Sequence, residues 1–203
     1  DAHGAAPNKP KFLPADEDSD YNRADCYATQ AGWVMQAGHP SSGNGNTSAD
    51  PEILVASGGL AGATDTTGLR APTVTSMRFV KGTTATTDLT ASNSAARILV
   101  EITWDEAVTV VGSPTVVVAN SNASGGGFGN YTLVYTATGS TANRKRFTLT
   151  SQSLGNTDVL TLGGANIVLA GGSTISDTVR GGTAQAASLV LSGISAVAVT
   201  IAS

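Results

Sequence analysis

Few side chains in this sequence could act as the general base that activates a nucleophile. The sequence has two histidines, His3 and His39, and one cysteine, Cys26. Nucleophilic catalysis needs an activating base beside the nucleophile, yet neither histidine lies in a segment that also offers a carboxylate and a nucleophile. The G-x-S-x-G motif of serine hydrolases is absent, and the neighbouring Asp25 disfavours a thiolate at Cys26. We therefore predict a buried thiol and no catalytic site.

Acidic side chains are the other candidates for chemistry. Residues 16–20 (DEDSD) resemble the start of a calcium loop, but the glycine and the distal glutamate of an EF-hand do not follow at the required spacing. In the C-terminal half, the possible calcium ligands are Asp105, Glu106, Asp158 and Asp177. We expect these to be solvated carboxylates at turns, with a calcium site as the alternative. Zinc-ligand spacing is absent, so we predict no metal and no cofactor.

Charged residues are scarce, at 13% of the 203 residues, and the net charge is -4. The longest basic cluster is residues 144–146 (RKR), which we expect to be solvated where a turn enters a strand. A nucleic-acid-binding face needs clustered lysine and arginine, so we predict no nucleic-acid partner. The sequence has no run of about 18 apolar residues, so we predict no membrane partner either.

From residue 73 onward, short apolar segments are separated by glycine-rich turns. The clearest is residues 96–104 (ARILVEITW), where Ile98, Val100, Ile102 and Trp104 fall on one face because strand side chains alternate. We predict further strands at residues 73–80, 107–112, 114–120, 130–138, 146–151, 159–162, 166–170, 188–192 and 194–201. Many short strands with turn signals between them are typical of a β-sandwich or barrel. The predicted fold class is therefore all-β.

The N-terminal region has a different pattern. Residues 1–24 contain three prolines and no apolar periodicity, which predicts an extended arm. Residues 25–36 and 52–57 are predicted to pair as a β-hairpin, and residues 58–72 have the composition of a linker. A lone hairpin is marginally stable, so it must pack on its own sandwich or on another protein. We predict two regions: an attachment region, residues 1–70, and a sandwich domain, residues 73–203.

The C-terminal strands carry a recognisable series of motifs. The segment ILVEITWDEAVTV is followed in order by GSPTVVV, NYTLVY, RFTL and a closing segment from Ile167 to Asp177. Over residues 98–191 this series resembles the Ig-like domains of bacterial and phage proteins. The resemblance implies a Greek-key, Ig-like β-sandwich, preceded here by the arm and the hairpin.

The N-terminal region has a second, shorter resemblance. The segments YATQAGWV and EILVA, at residues 27–34 and 52–56, resemble parts of small virion proteins of tailed marine bacteriophages. In those proteins the segments precede an Ig-like domain. The resemblance implies a capsid decoration or cement protein on the exterior of the virion, with the major capsid protein or other virion proteins as partners.

Attachment through the N-terminal region would bury its apolar side chains against the capsid. The predicted partner-binding residues are Trp33, Val34, Ile53, Leu54 and Val55. We also predict a homo-oligomer, such as a trimer. The alternatives are a tail or fibre component and a carbohydrate-binding, Ig-like module of a bacterial adhesin, which would need an exposed aromatic platform.

Overall fold

The computed structural model of the protein consists of β-strands joined by turns. It describes residues 25–39, 45–58, 60–61, 71–81, 84–85, 96–122, 129–152, 154–155, 157–177 and 184–201. The predicted arm, residues 1–24, lies outside the described residues, and so do residues 62–70 of the predicted linker.

Thirteen β-strands and no α-helix lie within the described residues, so the predicted all-β class is confirmed. In chain order the strands are β1 Cys26–Thr29, β2 Gly32–Met35, β3 Glu52–Ala56, β4 Val74–Lys81, β5 Thr84–Ala85, β6 Ala96–Trp104, β7 Val108–Val111, β8 Thr115–Asn122, β9 Gly129–Thr136, β10 Arg144–Gln152, β11 Asp158–Leu162, β12 Thr174–Asp177 and β13 Val197–Thr200.

Eight of these strands form one large sheet, in the order β13-β11-β8-β9-β10-β6-β4-β5. Its strand pairs are antiparallel. Strand β13, at one end, also lies against β4 near the other end, so the sheet curls over on itself. Strands β7 and β12 form a separate two-stranded sheet, and Val108 and Ile175 join it to the main core. The result is a sandwich that approaches a closed barrel.

Strand β6 supplies the centre of the main core. Ile98, Val100, Ile102 and Trp104 are all fully buried there, as the alternation predicts. The indole Nε1 of Trp104 donates a hydrogen bond to the carbonyl oxygen of Ser188 at 3.0 Å. Because this bond satisfies the only polar atom of the ring, the indole can be buried without a polar cost.

Some strand predictions differ from the structure. Residues 166–170 and 188–192 were predicted as strands, but neither segment forms one, and they make isolated contacts such as the bond from the Ile167 N–H to the Leu189 carbonyl. Strand β12 was not predicted, because its sequence TISD has only one large apolar side chain. Its backbone pairing with β7 defines it instead.

The N-terminal region forms a three-stranded sheet, β1-β2-β3, rather than the predicted two-stranded hairpin. Residues 25–36 contain two strands because the chain reverses after Thr29. The hydroxyl of Thr29 donates to the Gly32 carbonyl and accepts from the Ala31 N–H, which closes the turn. Gly32 has a φ of +133°, and a Cβ there would clash with the Val55 carbonyl oxygen. Glycine is therefore required at this position.

The two faces of this small sheet have different neighbours. One face forms a hydrophobic core separate from that of the sandwich, with buried members Cys26, Ala28, Trp33, Met35 and Leu60. The burial of Cys26 agrees with the predicted buried thiol. The opposite face carries Val34 and Ile53, which are paired across β2 and β3. The small sheet thus has a core of its own and a second face on which Val34 is buried and Ile53 is exposed.

Truncating Trp104 tests the packing of the main core. We expect Trp104→Ala to lower the free energy of unfolding by about 3–5 kcal/mol, because a large buried aromatic leaves a cavity that the surrounding strands only partly fill. Urea denaturation measures the change. The exposed Val111 provides the control, since Val111→Ala should change stability by less than about 0.5 kcal/mol. Equal stability of Trp104→Ala and the wild type would contradict the register in which Trp104 faces the core.

Candidate functional site

The small sheet joins the sandwich at the end of β6. The Ala28 N–H in β1 donates to the carbonyl oxygen of Asp105 at 2.7 Å. Ala28 and Glu106 also form an isolated parallel β-bridge. The edge of the sheet formed by β1 is therefore covered by the sandwich, and β3 forms the opposite edge.

Ionic contacts reinforce this junction. Arg144 Nη2, in β10, lies 2.6 Å from Asp25 Oδ1, and His39 Nε2 lies 3.0 Å from Asp25 Oδ2. The fold thus places His39 beside a carboxylate 14 positions away in sequence, which the local sequence pattern did not indicate. Asp25 lies between a guanidinium and an imidazole, which suits a structural link between the two sheets.

The basic cluster at residues 144–146 is not solvated as predicted. Lys145 and Arg146 are buried, and only 11% of the Arg144 side chain is exposed. Arg146 Nε donates to Glu101 Oε1 at 2.7 Å, while the Lys145 ammonium donates to the Thr141 carbonyl oxygen at 2.6 Å. Burial lowers the pKa of Lys145 to about 8. These cations bind partners within the chain, so they do not form a phosphate-binding face.

A cavity of about 480 Å³ lies at the junction, between the face of the small sheet that carries Val34 and Ile53 and the sandwich. Val34 and Ile53 from the small sheet and Ala107 from the sandwich are among its apolar walls. Its acidic lining residues are Asp50, Glu106 and Asp177, and no lysine, arginine or histidine is among its described lining residues. The cavity is thus apolar and acidic at once.

Glu106 is the unusual residue of this cavity. It is 4% exposed, and its Oε1 has no hydrogen-bond partner among the described residues. Loss of hydration on burial raises its pKa to about 8, and the charges of Asp105 and Asp177 add to the effect. The expectation of a solvated turn carboxylate is therefore wrong for Glu106, because β1 packs against the turn that carries it. Near neutral pH its carboxyl holds a proton.

Asp105 and Asp177 are also buried, contrary to the prediction, and both have hydrogen-bond donors. Asp105 accepts from the Thr73 N–H and hydroxyl, and Asp177 accepts from the Gln185 N–H.

Asp158, the fourth residue considered as a calcium ligand, is buried in a different environment. Its Oδ2 accepts from the Asn120 side-chain amide and from the Gly155 N–H. Within the described ranges, no group of three or more acidic, histidine or cysteine side chains is arranged to hold a metal ion. The acidic residues considered from the sequence therefore do not form one calcium site in this structure.

The five residues predicted to bind a partner differ in exposure. Trp33 and Val34 are buried, whereas Leu54 and Val55 are half-buried and Ile53 is 54% exposed. Trp33 belongs to the core of the small sheet, and Leu54 and Val55 pack against that core. Ile53 is the member that offers most of its side chain to a partner.

The volume of the cavity lies within the range of small-ligand sites. Neither a cysteine nor a histidine is among the described residues that line it.

In the described part of the chain, no helix is long and apolar enough to cross a membrane. Comparison of the chain with protein-family models, curated proteins and solved structures finds no match.

Glu106 should make stability pH-dependent. Its pKa in the folded protein, about 8, lies above its ordinary value of 4.5, so folded Glu106 keeps a proton that the unfolded chain releases. The stabilisation of the folded state that comes from this proton is complete below pH 4.5 and is lost as the pH rises towards 8. Relative to Glu106→Gln, the wild type should lose at most about 1.4 kcal/mol per pH unit. Urea denaturation of both proteins between pH 5 and 8 tests this. If the free energies of unfolding of the two proteins changed in parallel with pH, the prediction would be wrong.

Calcium should have little effect on stability. The structure contains no arrangement of three acidic donors within its described residues, and a ligand that does not bind cannot raise the melting temperature. Melting curves measured in EDTA and in millimolar calcium should therefore coincide. A calcium-dependent rise of several degrees that Asp177→Asn removes would restore the calcium alternative.

Proposed function

We propose that the protein is a bacteriophage virion structural protein, a capsid decoration or cement protein that binds the capsid through its N-terminal region. The observation that carries the proposal is the free edge strand β3, with Ile53 exposed upon it, next to a cavity. The sandwich, with a closed core of its own, would project from the particle. We assign it the Ig-like, Greek-key fold that residues 98–191 resemble.

Strand β3 has the features of a docking edge. Among the described residues it pairs only with β2, so one side of its backbone has no neighbouring strand. Its side chains are exposed or half-buried along its whole length. A free edge strand attracts another extended segment, and added strands gain affinity from main-chain hydrogen bonds. A capsid protein with an extended segment would therefore fit this edge.

Attachment of this kind suits a repeating lattice. Each Å² of apolar surface removed from water contributes roughly 25 cal/mol, so Ile53 and its neighbours give one weak contact per copy. Many such contacts on one particle add through avidity. Weak single contacts therefore suffice for a protein that decorates a capsid.

The outer face of the large sheet supports the predicted homo-oligomer. Cross-strand pairing aligns Thr148, Val134, Thr115 and Val168 in one row. The row contains no charge, and Val134 and Val168 are exposed. A second copy could pack against it without removing a charged group from water, which is the main cost of burying a polar surface. The number of copies, including the trimer, remains a prediction.

The adhesin alternative is less well supported. A sugar-binding face would need exposed aromatic side chains, but Trp104 is fully buried, and Tyr131 and Tyr135 pack against the main core. Tyr135 also makes an edge-to-face contact with Phe147, with ring centroids 6.1 Å apart. These described aromatics therefore serve packing rather than a sugar-binding platform.

Replacing Ile53 tests attachment. We expect Ile53→Asp to reduce co-sedimentation with undecorated capsids of the same phage by at least about tenfold, because a charge would be buried at the docking edge. Val190→Asp is the control, since Val190 is similarly exposed, at 50%. Both variants should keep the wild-type melting temperature. Undiminished binding of Ile53→Asp, or no binding of the wild type, would overturn the proposed attachment.

A further inference from the structure

The cavity at the junction has a composition that selects one type of ligand. Its apolar walls would accept a hydrocarbon chain, whereas Glu106 and Asp177 lie on the sandwich side. The described lining residues include no cation to neutralise these groups. An anionic ligand would be repelled, and a fully apolar one would leave the polar atoms of the cavity unpaired.

Glu106 marks the place where a donor is missing. The residue is 96% buried by surface area, lines the cavity and leaves its Oε1 without a hydrogen-bond donor among the described residues. A buried carboxyl oxygen without a donor carries a free-energy cost, whereas Asp105 and Asp177 beside it each accept hydrogen bonds from the chain. One carboxyl oxygen of a residue that lines the cavity therefore lacks a donor among the described residues.

A metal ion fits this arrangement poorly. Calcium takes six to eight oxygen ligands, and no group of three acidic donors in the described part of the chain is placed to share an ion. An ammonium group on an alkyl chain meets both requirements, since it brings three donors and a stem that packs against apolar walls.

We propose that this cavity binds the side chain of a lysine from a partner polypeptide, with its ammonium group on Glu106 and its stem against Val34 and Ile53. The proposal deepens the proposed function, on which it rests for the source of the lysine. The source is indicated by β3, because Ile53 belongs both to the free edge strand and to the cavity wall. An extended partner segment paired with β3 could thus place a side chain in the cavity.

Proton release provides a distinctive readout. Burial, with Asp105 and Asp177 nearby, holds the pKa of Glu106 at about 8. In the protein without a ligand, Glu106 is therefore mostly protonated at pH 7. A cation beside it favours the ionised form. Binding of an ammonium group should therefore release up to about one proton per site at pH 7, and this release should disappear in Glu106→Gln.

Two matched peptides test the proposal. The first is an acetylated, amidated Thr-Val-Lys-Val-Thr, and the second has norleucine in place of lysine, which keeps the stem but lacks the ammonium. Calorimetry at pH 7, in two buffers of different ionisation enthalpy, gives affinity and proton release. We expect the lysine peptide to bind at least about tenfold more tightly than the norleucine peptide. Glu106→Gln should remove that difference, while Glu52→Gln, which alters a β3 carboxyl outside the cavity lining, should preserve it.

The remaining outcomes each decide the proposal. Equal affinity of the two peptides for the wild type would overturn it, and this comparison does not depend on the folding of any variant. Tighter binding of free pentylammonium than of the lysine peptide would assign the cavity to a small amine and overturn the partner segment. Displacement of the lysine peptide by calcium would indicate a metal site and overturn it as well.

Capsid binding is measured separately from peptide binding. If capsid co-sedimentation depends on Ile53 but the wild type binds the lysine and norleucine peptides equally, this inference alone is overturned. If the wild type prefers the lysine peptide but does not bind capsids, the proposed function alone is overturned.

Discussion

The buried carboxylate of Glu101 is the constraint on which the rest of the structure depends. Glu101 is 1% exposed, and a buried charge is tolerated only when nearby groups of opposite charge compensate it. Arg78 and Arg146 lie directly opposite it on the two neighbouring strands, with nitrogen–oxygen distances of 2.8 and 2.7 Å. Arg144 lies 3.7 Å from the same group and also binds Asp25. One carboxylate thus fixes the register of β4, β6 and β10 and, through Arg144, the position of the small sheet.

This network explains why the small sheet sits where it does. Its hydrophobic core is separate from that of the sandwich, so apolar packing alone does not determine its orientation. The ion pair of Asp25 with Arg144 and the backbone bond from Ala28 to Asp105 give it a direction. With β1 held in this way, β3 becomes the free edge and the second face of the sheet closes over the cavity.

The sequence predicted the main core better than the junction. The burial of Ile98, Val100, Ile102 and Trp104 follows from alternation within one strand, which is a local property. The burial of Glu106 and of residues 144–146 depends on contacts between segments far apart in sequence, such as Asp25 with Arg144. Their charge alone favoured solvent. The scarcity of charged residues, at 13%, was the one sequence feature that favoured specific partners for residues 144–146.

Glu101 and Glu106 are both buried, but they are accommodated in opposite ways. Glu101 is compensated by arginines from the strands on either side, and such a pair resists change because removing any partner leaves a buried charge. Glu106 has the like charges of Asp105 and Asp177 beside it and remains neutral by keeping its proton. A group held neutral in this way can still accept an incoming cation, whereas a compensated group cannot. The rigid ion network therefore positions the junction, and the uncompensated glutamate is the group on which the proposed lysine site depends.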